Sequence, residues 1–313
     1  MAVSTKIQNT ASRLDAAESA LFARQLEVVA ARTYNIKTPT YKALQIIPVK
    51  NDIHPGASEY TYRRFSDAGD AKIIADDADD LPRVDIRGEE ITTKLRNIGD
   101  SFAYNIQEIR AAQLARLALD HLRAQAAIHK IDKRINHTAL FGSPEHEMEG
   151  LFNFPGITET VIPADGAGGS RSWKTKSVEQ IIRDINIILD SVVIPTDGEE
   201  QPDTLLLPLS AIRELKNRRL GDNDITLLKY VRDNYPELTT ITYLNELKNA
   251  GRDGGTRAMV GKFDDGHLEI KMPVYAQFEA PERRGFTYRV DCTSRMSGLI
   301  VYYPMAFGYA DGI

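Results

Sequence analysis

The sequence predicts an α+β fold, and three of its features support that prediction. A run without glycine or proline extends from Ser101 to Phe141, which indicates a very long helix. Two stretches of alternating polar and apolar residues precede this run and enclose a polar segment, as in a long β-hairpin. After Gly142, helical and strand patterns follow one another without regular alternation and without an internal repeat.

Residues 11–33 have the periodicity of an amphipathic helix. Their apolar side chains recur along one face and beside it: Leu14, Ala17, Leu21, Phe22, Leu26, Val28 and Val29. The residues that follow contain several prolines and many β-branched side chains but little periodicity. We therefore expect them to be extended, and residues 1–55 to form an arm that reaches across another surface.

Residues 56–98 are expected to form a protruding two-stranded loop. Tyr60 and Tyr62 alternate with polar residues in its first strand, and the second strand lies in EEITTKLRNIG, residues 89–99. The polar, acidic connection between them is longer than those in compact domains, and such loops are commonly functional or disordered. Because an isolated two-stranded ribbon is only marginally stable in water, we expect this one to lie on a partner.

The run from 101 to 141 is predicted as one helix, with an N-cap at Asp100 or Ser101. At 1.5 Å per residue it would span roughly 60 Å, whereas a compact domain of this chain length has a diameter of about 50 Å. The helix is therefore kinked, or the protein is flat or elongated, or a neighbouring subunit covers the overhang. Heptad spacing holds only from Leu114 to Ile135, which favours a helix lying across a sheet over a coiled coil.

The region after Gly142 opens with turn-rich and glycine-rich loops. A helix is predicted near 176–193, where Ser177 and Gln180 form a capping-box pattern. Further predicted elements are a strand in 203–208, helices in 209–221 and 223–236, a strand in 239–244, two strands joined by an Asp-Gly turn in 257–274, and strands at 286–292 and 298–303.

The composition is that of a folded protein with a sizeable core: 27% of residues are charged, 42% are hydrophobic and the formal net charge is -5. No apolar stretch approaches the roughly 18 residues of a membrane span, and the N-terminus lacks an apolar signal core, so we expect no membrane partner and synthesis in the cytoplasm. The single cysteine, Cys292, suggests a reducing compartment. Net acidity argues against a dedicated nucleic-acid binder, so the basic dipeptides at 63–64, 218–219 and 283–284 are interpreted as solvated or intersubunit charge.

No catalytic or metal-binding motif is complete. The pair His146–Glu147 lacks the second histidine of a zinc helix, since position 150 is glycine. The acidic run at 76–80 would place Leu81 on a ligand position of a calcium loop. The GAGGSR segment, residues 166–171, lacks the strand and lysine of a phosphate loop, and Cys292 lies in a predicted strand as a core thiol would. We therefore expect no catalytic residue, no metal site and no cofactor.

Three stretches resemble a known family: AGDAKIIADDADDLPRVDI (68–86), FGSPEHEMEGLFNFPG (141–156) and SGLIVYYPMAFGYADGI (297–313). Together with the order of arm, hairpin and long helix, they resemble the major capsid proteins of tailed bacteriophages, whose Hong Kong 97-like fold encapsulin shells share. The resemblance covers nearly the whole chain. It implies an N-terminal arm (1–55), an extended hairpin loop (56–98), a peripheral domain with a spine helix (99–160), a mainly axial domain (161–285) and C-terminal strands that return to the peripheral domain (286–313).

The resemblance implies a structural protein rather than an enzyme. Many copies of such a subunit, as pentamers and hexamers, would assemble in the host cytoplasm into the icosahedral shell of a phage head. The shell would enclose double-stranded DNA, bound non-specifically, with scaffolding, portal and decoration proteins as further partners. The residues expected to contact neighbouring subunits are Leu21 and Phe22 in the arm and Tyr60, Tyr62, Arg63, Arg64 and Phe65 in the hairpin.

Two alternatives differ from this interpretation in testable ways. An encapsulin-like shell of a bacterial nanocompartment would have the same fold but would enclose protein instead of nucleic acid. A cytoplasmic α+β enzyme or ligand-binding protein would use residues 166–171, or the DGG at 253–255, as an anion site. Such a protein would form a small, discrete oligomer and bind a small ligand saturably.

Overall fold

The structure is a computed structural model, and it describes residues 41–68, 85–115, 119–221 and 224–313. The chain divides into two compact units, Met1–Thr40 and Tyr41–Ile313. The first unit, with the helix predicted at 11–33 and with Leu21 and Phe22, lies outside the described residues. All that follows concerns the second unit.

The second unit contains helices and strands in mixed order. The described helices are α1 (Ala43–Ile46), α2 (Ile106–Ala115), α3 (Leu119–Phe141), α4 (Val178–Val193), α5 (Leu209–Asn217) and α6 (Leu227–Asn234). The described strands are β1 (Val49–Lys50), β2 (Glu59–Ala68), β3 (Asp85–Asn105), β4 (Thr158–Val161), β5 (Thr204–Leu207), β6 (Thr240–Tyr243), β7 (Arg257–Gly261), β8 (Leu268–Lys271), β9 (Val274–Phe278), β10 (Glu282–Arg284), β11 (Thr287–Ser297), β12 (Leu299–Val301) and β13 (Phe307–Asp311).

Strand β3 is long enough to belong to two parts of the fold. Its first half, residues 85–94, pairs antiparallel with β2 and forms the hairpin that the alternating sequence predicts. Its second half, residues 95–105, pairs antiparallel with β11. The resulting sheet has the order β10-β11-β3-β2, with β9 also paired to β11. The hairpin is therefore continuous with a sheet of the body. The predicted polar connection covers residues 66–83; of these, 66–68 belong to β2 and the rest lie outside the described residues.

The long helix begins later than the sequence predicts. Residues 101–105 are strand, so the proposed N-caps Asp100 and Ser101 are wrong. These residues extend the β3 ladder with β11, and the tertiary pairing outweighs their tolerance of a helical conformation. The predicted helix is confirmed over 106–115 and 119–141, as α2 and α3.

Asn105 provides the signals that start α2. The backbone N–H of Gln107 donates to Asn105 Oδ1 at 3.0 Å. The backbone N–H of Asn105 in turn donates to Glu108 Oε2 at 3.2 Å. This reciprocal pattern is that of a capping box, moved a few residues beyond the predicted position.

Helix α3 lies against a sheet with one face buried, as predicted in preference to a coiled coil. Ala127, Ile131, Ile135 and Ala139 recur at four-residue spacing on the buried face. They join a hydrophobic core that includes side chains of β8, β11 and β12. The opposite face of α3 is exposed.

Residues 41–50 differ from the extended arm that the sequence predicts. They form the one-turn helix α1 and the strand β1, which pairs parallel with β8. Ala43 and Ile47 are completely buried, and the backbone N–H of Ala43 donates to Asn136 Oδ1 on α3 at 3.0 Å. Burial of these two apolar side chains places the segment in the body.

A second sheet has the order β4-β13-β7-β5-β6. Helix α4 packs on it and buries Ile181, Ile185, Ile188 and Val192 in a second core. The capping box predicted at the start of α4 is present, with the Ser177 N–H donating to Gln180 Oε1 at 2.7 Å. The strands and helices predicted between 203 and 244 are confirmed, whereas β4 and β13 were not predicted.

A third sheet has the order β1-β8-β12, and it corrects the hairpin predicted at 257–274. Both strands of that hairpin exist, as β7 and β8, but β7 pairs with β5 and β13 while β8 pairs with β1 and β12. Every residue of both strands is buried. Strands buried on both faces typically lie inside a sheet, with a neighbouring strand on each side. β7 and β8 occupy such positions in two different sheets.

Candidate assembly surface

The register of β2 and β3 divides the hairpin side chains between two faces. Since successive residues of a strand point to opposite sides, Tyr60, Tyr62 and Arg64 share one face and Arg63 and Phe65 share the other. The structure describes both faces as far as residue 65 of β2. We name the first the inner hairpin face and the second the outer hairpin face.

The inner hairpin face contacts the chain's own C-terminal region. The rings of Tyr60 and Tyr62 stack with centroids 6.3 Å apart. The Tyr62 ring meets Tyr302 edge to face at 4.9 Å, and its hydroxyl donates to the Val301 carbonyl at 3.3 Å. These contacts fix the base of the hairpin to β12.

A buried ionic network lies beneath these tyrosines. The side chains of Glu269 and Lys271 are only 2% and 4% exposed, and Lys271 Nζ lies 2.7 Å from Glu269 Oε1. Lys271 Nζ also lies 2.8 Å from Asp52 Oδ2, and Lys50 Nζ lies 3.4 Å from Glu269 Oε2. The Tyr302 hydroxyl donates to Glu269. The network thus joins the residues just before the hairpin to strand β8 and to the residue that follows β12.

The network shifts the pKa of its members in directions that favour the charges present. Burial alone would lower the pKa of Lys271, but hydrogen bonds to Asp52 and Glu269 raise it above its ordinary value. The hydrogen bond from Lys271 holds the pKa of Asp52 below its ordinary value. Burial, followed by the hydrogen bond to Glu269, raises the pKa of Tyr302.

The outer hairpin face presents apolar side chains to solvent. Phe65 is 64% exposed, and Ile86, near it on β3, is 63% exposed. Phe65 lies opposite Gly88, where an added Cβ would come within 3.0 Å of the Phe65 ring, so glycine leaves room for the ring. Arg63 pairs with Glu90 across the strands at 2.8 Å. The face therefore combines exposed apolar area with an internally neutralised charge pair.

A groove of about 610 Å³ lies between the hairpin and the segment that follows β12. Its lining residues are Arg64, Gly88, Glu89, Gly156, Tyr302, Tyr303, Pro304 and Met305. Tyr303 and Met305 are 55% and 51% exposed. Arg64 pairs with Glu89 at 2.8 Å at the rim. Exposed apolar side chains therefore occur both on the outer hairpin face and at this groove.

The structure separates the hairpin residues that the sequence grouped together. Phe65 and Arg63 lie on the outer face and are exposed, whereas Tyr60 and Tyr62 are partly buried against the chain itself. Sequence reasoning missed the exposed residues Ile86, Tyr303 and Met305. Tyr303 and Met305 flank Pro304, which begins a short 3-10 helix after β12, and the sequence pattern alone does not show which way their side chains point.

The segments considered as enzyme or ligand sites have structural explanations. Residues 166–170 close a tight turn in which the Gly166 N–H donates to the Ser170 carbonyl at 2.9 Å. Glu147 pairs with Lys94, and Cys292 is buried, which raises the pKa of its thiol. Among the described residues, no group of three or more His, Cys, Asp and Glu could hold a metal ion. No described helix combines the length and apolarity needed to cross a membrane.

Comparison with solved structures shows what class of protein this fold defines. The capsid of the myovirus phage XM1 matches with a TM-score of 0.77 at 18% identity, over 93% of this chain and 98% of that one. The capsid of an empty GTA particle matches with a TM-score of 0.62 at 11% identity, over 92% and 95%. A virus-like particle from Pyrococcus furiosus matches with a TM-score of 0.52 at 11% identity, over 86% and 91%. The α+β fold is therefore the Hong Kong 97-like fold of shell-forming proteins, as predicted.

A family model described as major capsid protein matches residues 69–313. None of the curated proteins compared with the chain matches it significantly. The match covers most of the chain, so the chain belongs to the major capsid protein family, a family of structural proteins, and it is a major capsid subunit of a tailed-phage head. The encapsulin alternative is not favoured.

Proposed function

We propose that many copies of this chain assemble, as pentamers and hexamers, into an icosahedral head shell that encloses double-stranded DNA. Assembly would occur in the cytoplasm of the bacterial host, with scaffolding, portal and decoration proteins as further partners. The chain would contribute surfaces for association and no catalytic residue. The division into arm, hairpin, peripheral domain, axial domain and returning strands is part of this proposal, with the difference that residues 41–50 pack in the body.

The observation that carries the proposal is the exposed apolar area of the outer hairpin face. Phe65 and Ile86 are both more than half exposed, on strands that pair here with each other and with no other described strand. Exposed apolar patches commonly mark interaction sites, and a two-stranded ribbon gains stability when a partner covers it. A neighbouring copy supplies such a partner in a closed shell.

The proposal assigns different roles to the predicted contact residues, and Arg64, although it lies on the inner hairpin face, lines the groove beside it. Phe65, Arg63 and Arg64 would contact the neighbour, as would Leu21 and Phe22 of the arm. Tyr60 and Tyr62 would act indirectly, because their contacts with β12 and its flanking residue hold the hairpin in one orientation. A fixed orientation reduces the ordering cost of association.

The test removes the apolar area without removing strand propensity. In the double variant Phe65→Thr/Ile86→Thr, each lost side chain removes about 1.5–3 kcal/mol of possible burial, which weakens each contact by about tenfold or more. We expect a folded chain by circular dichroism but few or no shells by negative-stain electron microscopy. The matched control is Thr61→Ala/Thr92→Ala, which alters two exposed hydroxyls that contact each other at 2.8 Å on the same face. Equal particle yields from both variants and the wild type would contradict the proposal.

A further inference from the structure

The exposed face of α3 carries a line of basic side chains. Lys130, Lys133 and Arg134 are all exposed, at spacings of three and four residues that place them on one face of a helix. At 3.6 residues per turn they lie within an arc of about 100° and span about 6 Å along the axis. We name these three residues the α3 basic stripe.

The charges of the α3 basic stripe are not neutralised by neighbours within the described residues. No ion pair between described residues includes any of the three. The nearest acid on the helix, Asp132, points away and accepts a hydrogen bond from the Tyr275 hydroxyl at 2.6 Å. Glu246, which packs beside α3, accepts from Asn136 Nδ2 at 3.0 Å. A surface with three free positive charges thus occurs in a chain whose net charge is -5.

The chemistry of the stripe fits a polyanion better than a protein. Protein interfaces depend on large apolar or aromatic side chains that enter pockets on the partner. The exposed large apolar side chains include none between residues 123 and 160, where the side chains of the helix and the loop after it are described. Duplex DNA presents about one negative charge per 1.7 Å, so several phosphates can lie along a stripe of this length.

We propose that the α3 basic stripe binds the phosphate backbone of the packaged duplex, without sequence preference, and that the open face of α3 lines the interior of the shell. This inference rests on the proposed function, because a packaged genome must be present. The contact neutralises a small part of the phosphate charge in each subunit, and repetition over the shell multiplies it.

The experiment compares two full-length variants that lose the same charge at different places. Lys130→Gln/Lys133→Gln/Arg134→Gln removes the stripe. Arg213→Gln/Lys216→Gln/Lys229→Gln is the control, since these exposed residues of α5 and α6 also form no ion pair among the described residues. The probe is a fluorescently labelled duplex of random sequence, and its affinity is measured across a series of salt concentrations. Circular dichroism checks that both variants fold.

We expect the stripe variant to bind at least about tenfold more weakly at low salt, with a slope of log K against log salt that is shallower by up to about 2.7. The control should stay within about twofold of the wild type. Should the triple variant not fold, Lys130→Gln/Lys133→Gln provides the same comparison with a slope change of up to about 1.8.

Three results would overturn the inference. The first is wild-type affinity and slope in the stripe variant. The second is an equal loss of affinity in the control and the stripe variant, which would show that only net charge matters. The third is binding of polyglutamate and not of DNA, which would make an acidic protein the partner of the stripe. Electron microscopy of the same preparations separates this inference from the proposed function. If shells form but the stripe variant binds DNA as the wild type does, only the inference is contradicted. If the wild type forms no shells, the proposed function is contradicted, and the binding titration still measures whether the stripe binds DNA.

Discussion

The ring of Tyr62 on β2 meets the ring of Tyr302 edge to face, with centroids 4.9 Å apart and ring planes at 78°. The Tyr62 hydroxyl also donates to the carbonyl of the preceding residue, Val301, at 3.3 Å. Edge-to-face pairs are stabilised by the aromatic quadrupole in addition to their buried area. The contact therefore joins the hairpin to the end of β12 with a defined geometry.

We expect Tyr62→Ala to lower the free energy of unfolding by about 2 kcal/mol, since the ring is only half-buried, and Tyr62→Phe by about 1 kcal/mol. The reasons are loss of ring packing in the first case and loss of one hydrogen bond in the second. Urea unfolding measures both values, and hydrogen exchange should become faster in 59–65 for Tyr62→Ala. Thr61→Ala, on the outer face, is the control. Equal stability of Tyr62→Ala and Thr61→Ala would show that the contact does not hold the hairpin.

The pair Lys271–Glu269 makes a second prediction possible. Lys271→Met leaves Glu269 buried with less compensation, and loss of one partner of a buried pair costs about 3–5 kcal/mol. Because Lys50 and Tyr302 still contact Glu269, we expect the lower end of this range. The double variant Lys271→Met/Glu269→Leu should recover much of the loss, because the carboxylate that remains without Lys271, that of Asp52, is 59% exposed and no buried carboxylate is left in the network. Denaturant titration measures the free energy of unfolding of the two variants. A double variant less stable than Lys271→Met would contradict this account of the network.

The lowered pKa of Asp52 predicts how the stability of the chain changes with pH. Its pKa in the folded chain is held below its ordinary value of 3.8 by the hydrogen bond from Lys271. A carboxylate with a lowered folded-state pKa contributes stability above its unfolded-state pKa, and that contribution disappears as the pH falls through the folded-state value. We therefore expect the Tm of Asp52→Asn to lie below that of the wild type at neutral pH and the two values to converge as the pH falls from about 5 to 2. A constant difference in Tm over this range would contradict the assignment.

Gly150 and Gly99 form a matched pair of glycine substitutions. A Cβ at Gly150 would lie 2.2 Å from the backbone nitrogen of Gly142, whereas a Cβ at Gly99 would lie 3.6 Å from the Cys292 carbonyl. Backbone atoms cannot move aside cheaply, so Gly150→Ala should cost about 3 kcal/mol. Gly99→Ala meets only an ordinary contact and should change stability by less than about 1 kcal/mol. Thermal unfolding of the two variants tests whether this close approach requires glycine. Equal shifts in Tm would contradict the prediction.

Elements whose signals are local were predictable from the sequence. The capping box at Ser177 and Gln180 and the apolar periodicity after it define α4 without reference to the rest of the chain. Residues 101–105 show the opposite situation. They are compatible with a helix by composition, and their strand conformation depends on pairing with β11, which is distant in sequence. The partners of β7 and β8 are equally non-local, which explains why an Asp-Gly turn suggested a hairpin that the fold does not contain.

The candidate surface was predictable only in part, because it too depends on contacts between residues distant in sequence. Alternation in β2 shows that Tyr62 and Phe65 point to opposite faces, but the sequence does not show which face meets the chain's own body. That choice depends on Tyr302, which lies far along the chain. The exposed positions of Ile86 and Tyr303 likewise follow from the way β3 and the segment after β12 are placed, and the sequence pattern alone contains no record of it.

Electron microscopy of the expressed full-length chain tests the central claim most directly, because closed shells can be seen and counted. The account predicts particles with closed, regular walls built from this chain. Monomers or small discrete oligomers as the only species, under every condition of salt and concentration tried, would contradict it.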